Sequence, residues 1–329
     1  MAILAGRKPM NPTDGPTGLF ELDGNPLPEG IACGFLSTPD RVRLRFAVAP
    51  SRLDSTRGTV VLLQGRNETI EKYFETIADL TALGYAVATF DWRGQGGSQR
   101  LRGAARTGHV PSFDAYAIDL ETIFRSLILP DCTGPYAILA HSMGGAVALL
   151  AAPRIGAHVA RIVAAAPLIG MPGNSRANGL FLGMNTMRFL GLGRVPVRGV
   201  GRSAGWTAER NPLTSDTRRF ERNRALMKAA PQLFVGGPTA AWVAGAVGAA
   251  RRLDDSDVIA ALRVPTLIVT AGHDRVVSSP AAERLAWRMR SGHALSVPGA
   301  RHELMQEADL YRAPFIAAFD SFAGAALPL

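Results

Sequence analysis

Near the middle of the chain the sequence reads Ala140-His141-Ser142-Met143-Gly144-Gly145. Residues 136–139 before it are apolar and partly β-branched, whereas residues 146–152 after it are small and helix-favouring. The pattern therefore predicts a strand that turns sharply into a helix at Ser142. A turn of this kind, usually G-x-S-x-G, lifts a serine hydroxyl above the sheet edge, where it can act as a nucleophile. Ala140 stands at the first glycine position and is also small.

Strands and helices alternate on both sides of this turn. Helical spacing of apolar residues marks 70–83, 113–129, 280–289 and 313–323. Short apolar runs typical of strands occupy 59–63, 85–90, 160–166, 264–270 and 294–297. This alternation predicts an α/β fold with a mostly parallel central sheet, helices on both faces, and catalytic loops at the carboxyl ends of the strands.

The N-terminal part of the chain differs from this pattern. Residues 1–29 are rich in Pro, Gly, Asn and Asp, which predicts an irregular arm on the surface. Residues 31–37 and 42–49 are strand candidates separated by the turn residues Thr38-Pro39-Asp40. We expect these two strands to form an antiparallel hairpin that precedes the parallel part of the sheet.

The strand pattern is interrupted between residues 171 and 257, which are rich in Gly, Met and Arg and contain amphipathic helical segments. We expect a helical cap inserted between two strands, with residues 1–170 and 258–329 forming the two parts of the core. Residues 229–250 carry no charge and are long enough to span a bilayer. Their two prolines and four glycines favour a buried helix preceded by a turn over a transmembrane helix.

The net charge of +9 limits the classes of partner. Residues 171–257 contain 13 Lys and Arg against six Asp and Glu, so most of the excess lies in the predicted cap. No basic run is interleaved with aromatic residues, and no zinc-finger or helix-turn-helix pattern occurs, so we expect no nucleic-acid partner. The Gly-rich loop at residues 91–98 matches neither G-x-G-x-x-G nor a phosphate loop. We expect no cofactor and no metal.

The cysteines and the N-terminal residues indicate the cellular compartment of the protein. Cys33 and Cys132 are too few for a disulfide framework, and we expect both to be buried free thiols in a reducing compartment. The first residues lack the basic and apolar segments of an export signal. These observations predict a cytoplasmic protein.

A serine nucleophile needs a base to remove its proton and a carboxylate to orient that base. Because a serine in an ordinary Gly-rich turn has the same local pattern, the partners decide between the two interpretations. In this topology the acid follows a strand after the nucleophile, and the base follows the last strand. Asp274 comes directly after the strand at 264–270, although a turn-capping aspartate would fit that position too. The loop after the preceding strand, residues 166–170, carries no carboxylate.

Six histidines compete for the role of base. His302 follows the last predicted strand, on a loop at the catalytic edge, and completes the order Ser, Asp, His. The other five fit less well. His141 lies inside the turn at Ser142, which we call the elbow. The remaining four precede the acid, adjoin it or begin the last strand, in the order His109 and His158, His273, and His293. We therefore predict Ser142, Asp274 and His302 as a catalytic triad.

Acyl transfer also requires hydrogen-bond donors for the negative charge that develops on the substrate carbonyl. The backbone N–H of Met143 follows the nucleophile at a helix start. The backbone N–H of Arg66, in the loop after the strand at 59–63, is the best-placed second donor, because Gly65 before it lets the backbone approach closely. We predict these two groups as the oxyanion hole.

Taken together, these loops resemble the α/β-hydrolase fold, in its branch of monoacylglycerol lipases, bacterial lysophospholipases and serine aminopeptidase-type hydrolases. The likeness includes Gln64-Gly65-Arg66, residues 91–96, the elbow, and the surroundings of the acid and base. It extends into the cap, where residues 211–215 and 236–242 look like lysophospholipase L2-type sequences, and it covers nearly everything after residue 30.

The resemblance implies the same triad and oxyanion donors, and it adds one residue. Glu68 looks like the acidic residue that related monoacylglycerol lipases hold beside the head-group pocket; the alternative is a capping carboxylate before the helix at residue 70. The chain departs from the family pattern at Gln64, where many hydrolases have His, and at Ala140, which replaces the elbow Gly.

Three functions are consistent with these residues. The first is a serine esterase or lipase that cleaves a lysophospholipid or monoacylglycerol through an acyl-enzyme, with the basic cap in peripheral contact with an anionic membrane surface at its inner, cytoplasmic face. The second is a peptidase similar to prolyl iminopeptidase. The third is a non-catalytic ligand-binding protein on the same fold. Dehalogenases and epoxide hydrolases are excluded because they need a carboxylate nucleophile.

Overall fold

The computed structural model describes residues 18–101, 107–171, 177–197 and 206–324, without the side chains of residues 177 and 178. Of the predicted N-terminal arm, residues 1–17 lie outside this set. The described end of the arm packs against the body of the protein. Leu19 is buried in an apolar cluster, and the backbone N–H of Phe20 donates to Glu71 Oε1 at 3.2 Å.

One sheet of eight strands lies at the centre of the described structure, in the order β1-β2-β4-β3-β5-β6-β7-β8. The strand β2 runs antiparallel to its neighbours β1 and β4, and all other pairs are parallel. The strands are β1 Ala32–Ser37, β2 Arg43–Ala49, β3 Thr59–Leu63, β4 Ala86–Phe90, β5 Tyr136–His141, β6 Val159–Ala165, β7 Thr266–Ala271 and β8 Gly292–Val297. The predicted α/β fold with a mostly parallel sheet is confirmed.

Helices cover both faces of the sheet. They are α1 Phe74–Ala82, α2 Phe113–Ile123, α3 Leu129–Asp131, α4 Met143–Ile155, α5 Ala177–Phe189, α6 Thr217–Ala229, α7 Ala240–Arg252, α8 Ser256–Ala260, α9 Ser279–Arg288 and α10 Asp309–Gly324. Val61 and Leu63 of β3 belong to the apolar cluster shared with α2, α4, α7 and α9, whereas Val60 and Leu62 belong to the one shared with α1 and α10. Because successive side chains of a strand alternate between faces, a strand buried on both sides is apolar throughout.

Two predicted helices are less regular than their apolar spacing indicates. The segment predicted at 113–129 consists of α2, a π-helical turn at Phe124–Ile128, and α3. In the π turn the N–H of Leu129 donates to the carbonyl of Phe124, and Pro130 follows without an N–H to continue the α-helical ladder. The helix predicted from residue 70 likewise starts as a 3-10 turn, Ile70–Tyr73, before α1.

The helices α5, α6 and α7 occupy the interval between β6 and β7 in which a cap is predicted. α5 packs against α7, which is largely buried. Residues 172–176 and 198–205 of the predicted cap lie outside the described set, and the division at 171 and 257 stays a prediction. The uncharged stretch at 229–250 contains a 3-10 turn and most of α7. None of the helices in the described ranges has the length and apolar content needed to cross a bilayer.

Neither of the two cysteines forms a disulfide bond, and only one of them is buried. Cys33 lies in the interior, whereas Cys132 is half-buried, so the expectation of two buried thiols is wrong for Cys132. The reason is its place in the short connection between α3 and β5, where the next residues, Thr133 and Gly134, are exposed.

Candidate active site

The predicted elbow is present as a sharp turn between β5 and α4. Ser142 is the single residue between them, and its backbone has φ 50° and ψ −114°, a conformation that residues other than glycine rarely adopt. Hydrogen bonds on both sides hold it there. The N–H of Ser142 donates to the carbonyl of Ala165 at 3.0 Å, and its own carbonyl accepts from the N–H of Leu168 at 2.9 Å. Strain maintained in this way is frequent at functional sites.

The two glycines after the nucleophile let α4 approach the sheet closely. A Cβ on Gly144 would lie 2.6 Å from the carbonyl oxygen of Gln64, and one on Gly145 would lie 2.8 Å from Cβ of Pro167. Real Cβ atoms do not come this close to backbone atoms. The small residues of the motif are therefore required by the packing of the helix, in addition to any role in the turn.

The structure brings Ser142, Asp274 and His302 together. His302 Nε2 lies 3.0 Å from Ser142 Oγ, and His302 Nδ1 lies 2.8 Å from Asp274 Oδ2. The three residues follow β5, β7 and β8 at the carboxyl edge of the sheet, where parallel strands place their loops. Such a serine, imidazole and carboxylate in hydrogen-bond series have the geometry of a nucleophile, its base and the group that orients the base.

Asp274 is held in place by its backbone surroundings as well as by the imidazole. Its Oδ1 accepts from the N–H groups of Val276 at 2.7 Å and Val277 at 2.9 Å, which leaves Oδ2 for His302. Burial alone would raise the pKa of Asp274, but the hydrogen bonds from His302 and the two amides lower it below its ordinary value. The carboxylate is therefore ionised at neutral pH.

Two of the competing histidines, His141 and His109, have other hydrogen-bond partners in the structure. His141 Nδ1 faces the carboxylate of Glu68, and its Nε2 lies 3.2 Å from the carbonyl oxygen of His302. His109 Nδ1 lies 3.0 Å from Thr239 Oγ1. Among the described residues, His302 is the histidine in hydrogen-bond contact with Ser142 Oγ.

The predicted oxyanion donors belong to the start of α4 and to the loop after β3, the strand that pairs with β5. Met143 is the first residue of α4, and N–H groups in the first turn of a helix have no acceptor within it. Arg66 follows β3, whose last residue, Leu63, is paired with Ala140 of the elbow strand. A Cβ on Gly65 would lie 2.9 Å from Nδ1 of His141, so this loop packs closely against the elbow. The donor roles of both amides remain predictions.

A buried charge network lies beside the triad. Lys72 Nζ lies 2.8 Å from Glu68 Oε1 and 2.6 Å from Glu303 Oε1, and the hydroxyl of Tyr73 donates to Glu68 Oε2 at 2.6 Å. Burial alone would raise the pKa of Glu68, but Lys72 and His141 hold it well below its usual range. Burial alone would lower the pKa of Lys72, but Glu303 and Glu68 raise it. Lys72, Tyr73 and Glu303 are not predicted from the sequence, because no local pattern indicates that Lys72 meets a residue 231 positions away.

Glu68 lies in the wall of the active-site cavity with both carboxylate oxygens already paired. It also accepts a short hydrogen bond from the N–H of Gly65. Among the described contacts it bonds to no N–H group of the helix that follows, so it stabilises the Gly65 turn instead of capping that helix. Its head-group role stays a prediction. The neighbouring Gln64 is buried, and its side-chain amide has no hydrogen-bond partner in the described part of the chain.

A cavity of about 600 Å³ opens over Ser142 and His302. Its polar wall contains Arg66, Lys72, Asn223, Arg224 and Glu303. Its larger, apolar wall comes from both the core and the predicted cap: Met143, Leu168, Met171, Trp206, Leu213, Phe220, Met227, Phe234, Pro238, Trp242, Val276 and Val277. The site can therefore hold a ligand with a long apolar part and a polar end.

The two cap segments singled out in the sequence both contact catalytic loops. The N–H of Glu303 donates to the carbonyl of Leu213 at 2.8 Å, and Arg301 Nη1 donates to the carbonyl of Asn211 at 3.0 Å, so residues 211–213 hold the loop of the triad histidine. In the second segment, Gly236 accepts a short hydrogen bond from the side chain of Arg66.

Comparison with protein families places this geometry in context. The family model for serine aminopeptidase, S33, a hydrolase family, matches residues 54–309. Lysophospholipase L2 of Escherichia coli K12 is 32% identical over 279 residues, which cover 80% of this chain and 79% of that protein. A probable lysophospholipase L2 of Haemophilus influenzae is 28% identical over 287 residues, covering 87% and 90% of the two chains.

Solved structures agree with the fold. A soluble variant of monoglyceride lipase from Saccharomyces cerevisiae, in complex with a substrate analog, has a TM-score of 0.72 at 19% identity and covers 89% of this chain and 96% of its own. The monoacylglycerol lipase of Paleococcus ferrophilus has a TM-score of 0.66 at 18% identity, with 86% and 99% covered. At such identities the likeness concerns the fold, and it confirms the α/β-hydrolase architecture that the sequence predicts.

Proposed function

The chain belongs to the serine aminopeptidase S33 family of hydrolases, and from this we propose that it is a serine esterase that cleaves the carboxylic ester of a lysophospholipid or a monoacylglycerol. The observation that carries the proposal is the hydrogen-bonded series Ser142, His302 and Asp274 at the base of a largely apolar cavity. The relatives named lysophospholipase L2 support the lipid as substrate.

The mechanism follows from the contacts of the triad. His302 Nε2 takes the proton of Ser142 Oγ as the oxygen attacks the ester carbonyl, and Asp274 stabilises the imidazolium that forms. The backbone N–H groups of Met143 and Arg66 receive the charge on the carbonyl oxygen. His302 then gives its proton to the leaving alcohol, and water hydrolyses the acyl-enzyme with the same base. The reaction needs no cofactor.

The residues that line the cavity favour a lipid substrate over a peptide substrate. An aminopeptidase requires an acceptor for the α-ammonium group of its substrate, and carboxylates usually supply it. Within the described residues the carboxylates that line this cavity are those of Glu68 and Glu303, and both pair with Lys72. The larger apolar wall suits a fatty acyl chain.

The proposal is tested with matched acyl chains on different head groups. We expect the protein to hydrolyse long-chain lysophosphatidylcholine and monoacylglycerol, and p-nitrophenyl esters with a rate that increases with chain length as the cavity fills. Release of fatty acid is measured for the wild type, with Ser142→Ala as the background.

Three results would contradict the proposal. Activity confined to short p-nitrophenyl esters would exclude the lipid substrate. Preferential hydrolysis of proline- or alanine-arylamides over every ester would assign the protein to the peptidases of the family. A stable protein that hydrolyses none of these substrates would favour the ligand-binding alternative.

We further propose that the cap contacts an anionic membrane surface, at the cytoplasmic face as the sequence analysis expects. A patch of exposed apolar side chains within residues 182–195 of the predicted cap supports this contact: Leu182, Phe189, Leu190, Leu192 and Val195. The side chain of Phe189 is 91% exposed, and the arginines Arg188 and Arg194 lie between members of the patch in sequence. Apolar side chains beside basic ones are typical of surfaces that insert into the interface of an anionic bilayer.

Vesicle sedimentation tests the contact. We expect the protein to bind phosphatidylglycerol vesicles more strongly than phosphatidylcholine vesicles. Binding to the anionic vesicles should decrease with salt, because charge contributes to it. It should also weaken by about tenfold in Phe189→Ser. Leu310→Ser is the matched control, since Leu310 is 76% exposed on α10 of the core. Equal binding to both kinds of vesicle, or equal losses in the two variants, would disprove a cap-mediated contact with anionic lipid.

A further inference from the structure

The guanidinium group of Arg66 lies in the wall of the active-site cavity, in a place shaped to hold it. Its Cζ lies 5.2 Å from the ring centroid of Trp242, above the ring face. A Cβ on Gly108 would lie 2.5 Å from Nη2 of Arg66, so the guanidinium occupies the space that the missing side chain of Gly108 leaves. One N–H donates to the carbonyl of Gly236. The group is thus fixed at the cavity wall by three separate elements.

This cation has no counter-ion within the part of the chain that the structure describes. Its Nε is buried and has no hydrogen-bond partner there, although a guanidinium offers five N–H donors. Burial lowers the pKa of Arg66 to about 10, so the group is still charged at neutral pH. Arg66 as a whole is half-buried, and a charge taken out of water is normally paired, because an unpaired one is costly to desolvate.

The other lysine and arginine side chains of the described cavity wall are paired. Lys72 Nζ lies 2.6 Å from Glu303 Oε1, and Arg224 Nη1 lies 3.1 Å from Glu221 Oε1. Among the described residues Arg66 is therefore the lysine or arginine of this cavity wall that has no carboxylate partner. An arginine in this state is suited to an oxyanion such as phosphate, which it can bind through two parallel N–H groups.

The position of Arg66 relative to the ester indicates which anion its guanidinium would bind. Its backbone N–H is the proposed donor to the ester carbonyl, and its side chain leads from that point along the cavity wall. In a lysophospholipid the phosphate is joined to the ester through the glycerol unit. We propose that the guanidinium of Arg66 binds the phosphate of a lysophospholipid and sets a preference for this lipid over a neutral monoacylglycerol. The inference rests on the proposed esterase function.

The test compares two lipids with the same acyl chain, 1-palmitoyl-lysophosphatidylglycerol and 1-palmitoylglycerol. For Arg66→Met we expect the ratio of kcat/KM for the phospholipid to that for the neutral lipid to fall by at least about tenfold relative to wild type. The substitution retains the backbone N–H, so the ratio isolates the side chain. Arg66→Lys retains the charge without the planar fork and is expected to give an intermediate ratio.

The control variant is Arg125→Met, because Arg125 is 72% exposed, lies on the π turn after α2, and pairs with Glu121. It removes the same charge and is expected to keep the wild-type ratio. An unchanged ratio in Arg66→Met would overturn the inference while leaving the esterase proposal intact. Failure of the wild type to hydrolyse either lipid would instead contradict the esterase proposal.

A second measurement on the wild type does not depend on the folding of a variant. We expect sn-glycerol 3-phosphate to inhibit p-nitrophenyl ester hydrolysis competitively, at least about tenfold more strongly than glycerol does. Inorganic phosphate distinguishes a head-group site from a site for the free ion. Weaker inhibition by inorganic phosphate supports the head-group site, and inhibition equal to that of the glycerol ester would overturn it.

Discussion

Ser142→Ala is expected to lower kcat for ester hydrolysis by about four to six orders of magnitude. The variant has no hydroxyl to form the acyl-enzyme, and His302 Nε2 loses the partner that lies 3.0 Å away in the wild type. The cavity and the backbone amides of Met143 and Arg66 are unchanged, so binding of the lipid should persist. The loss should therefore appear in kcat much more than in KM.

A fluorophosphonate probe provides the direct measurement. We expect stoichiometric labelling of the wild type at Ser142, identified by mass spectrometry of the labelled peptide, and no labelling of Ser142→Ala. The loop serine Ser51 serves as control, because its hydroxyl makes local contacts with Leu53 far from the triad in sequence. Full activity or undiminished labelling in folded Ser142→Ala would show that another residue is the nucleophile.

Asp274→Asn is expected to lower kcat by about three to four orders of magnitude, through the protonation of His302. Oδ1 of Asp274 accepts from the N–H groups of Val276 and Val277, so in the variant the amide oxygen takes that place. The amide NH₂ then faces Nδ1 of His302, where the carboxylate stands 2.8 Å away in the wild type. An NH₂ donor requires Nδ1 to be unprotonated, which places the imidazole proton on Nε2. A protonated Nε2 cannot accept the serine proton.

The readouts for this variant are kcat, KM and the rate of fluorophosphonate labelling across pH. The loss should be in kcat and in labelling, with a KM close to that of the wild type, because Asp274 does not line the cavity. Asp114→Asn is the matched control at an exposed carboxylate, which pairs with Arg252. If folded Asp274→Asn kept more than a tenth of the wild-type kcat, Asp274 would not be the orienting acid.

Much of the architecture was predictable from local patterns. The run at residues 59–63 coincides with β3, Thr59–Leu63, because a threonine followed by four consecutive apolar residues fits a strand buried on both faces. The turn at Ser142 was predictable because the change from β-branched to small residues is local. Helix interiors were harder: the spacing at 113–129 gave no sign of the π turn at Phe124–Ile128.

The chain order of chemistry-bearing residues was also informative for the candidate site. Once a parallel sheet is expected, loops that follow different strands meet at one edge, so Ser142, Asp274 and His302 could be expected to approach one another. The distances of 3.0 Å and 2.8 Å that join them came only from the structure.

The sequence by itself determined the strands, the places of most helices and the order of the reactive residues, because hydrophobic periodicity and turn chemistry act over neighbouring residues. Only the tertiary structure decided which distant side chains meet. Lys72 and Glu303 are 231 residues apart, and the side chain of Arg66 bonds to a carbonyl 170 residues away. Such contacts depend on how packed elements align, and no local pattern records that alignment. The ion pairs beside the triad, and the guanidinium in the cavity wall that has no carboxylate partner among the described residues, are therefore properties of the fold.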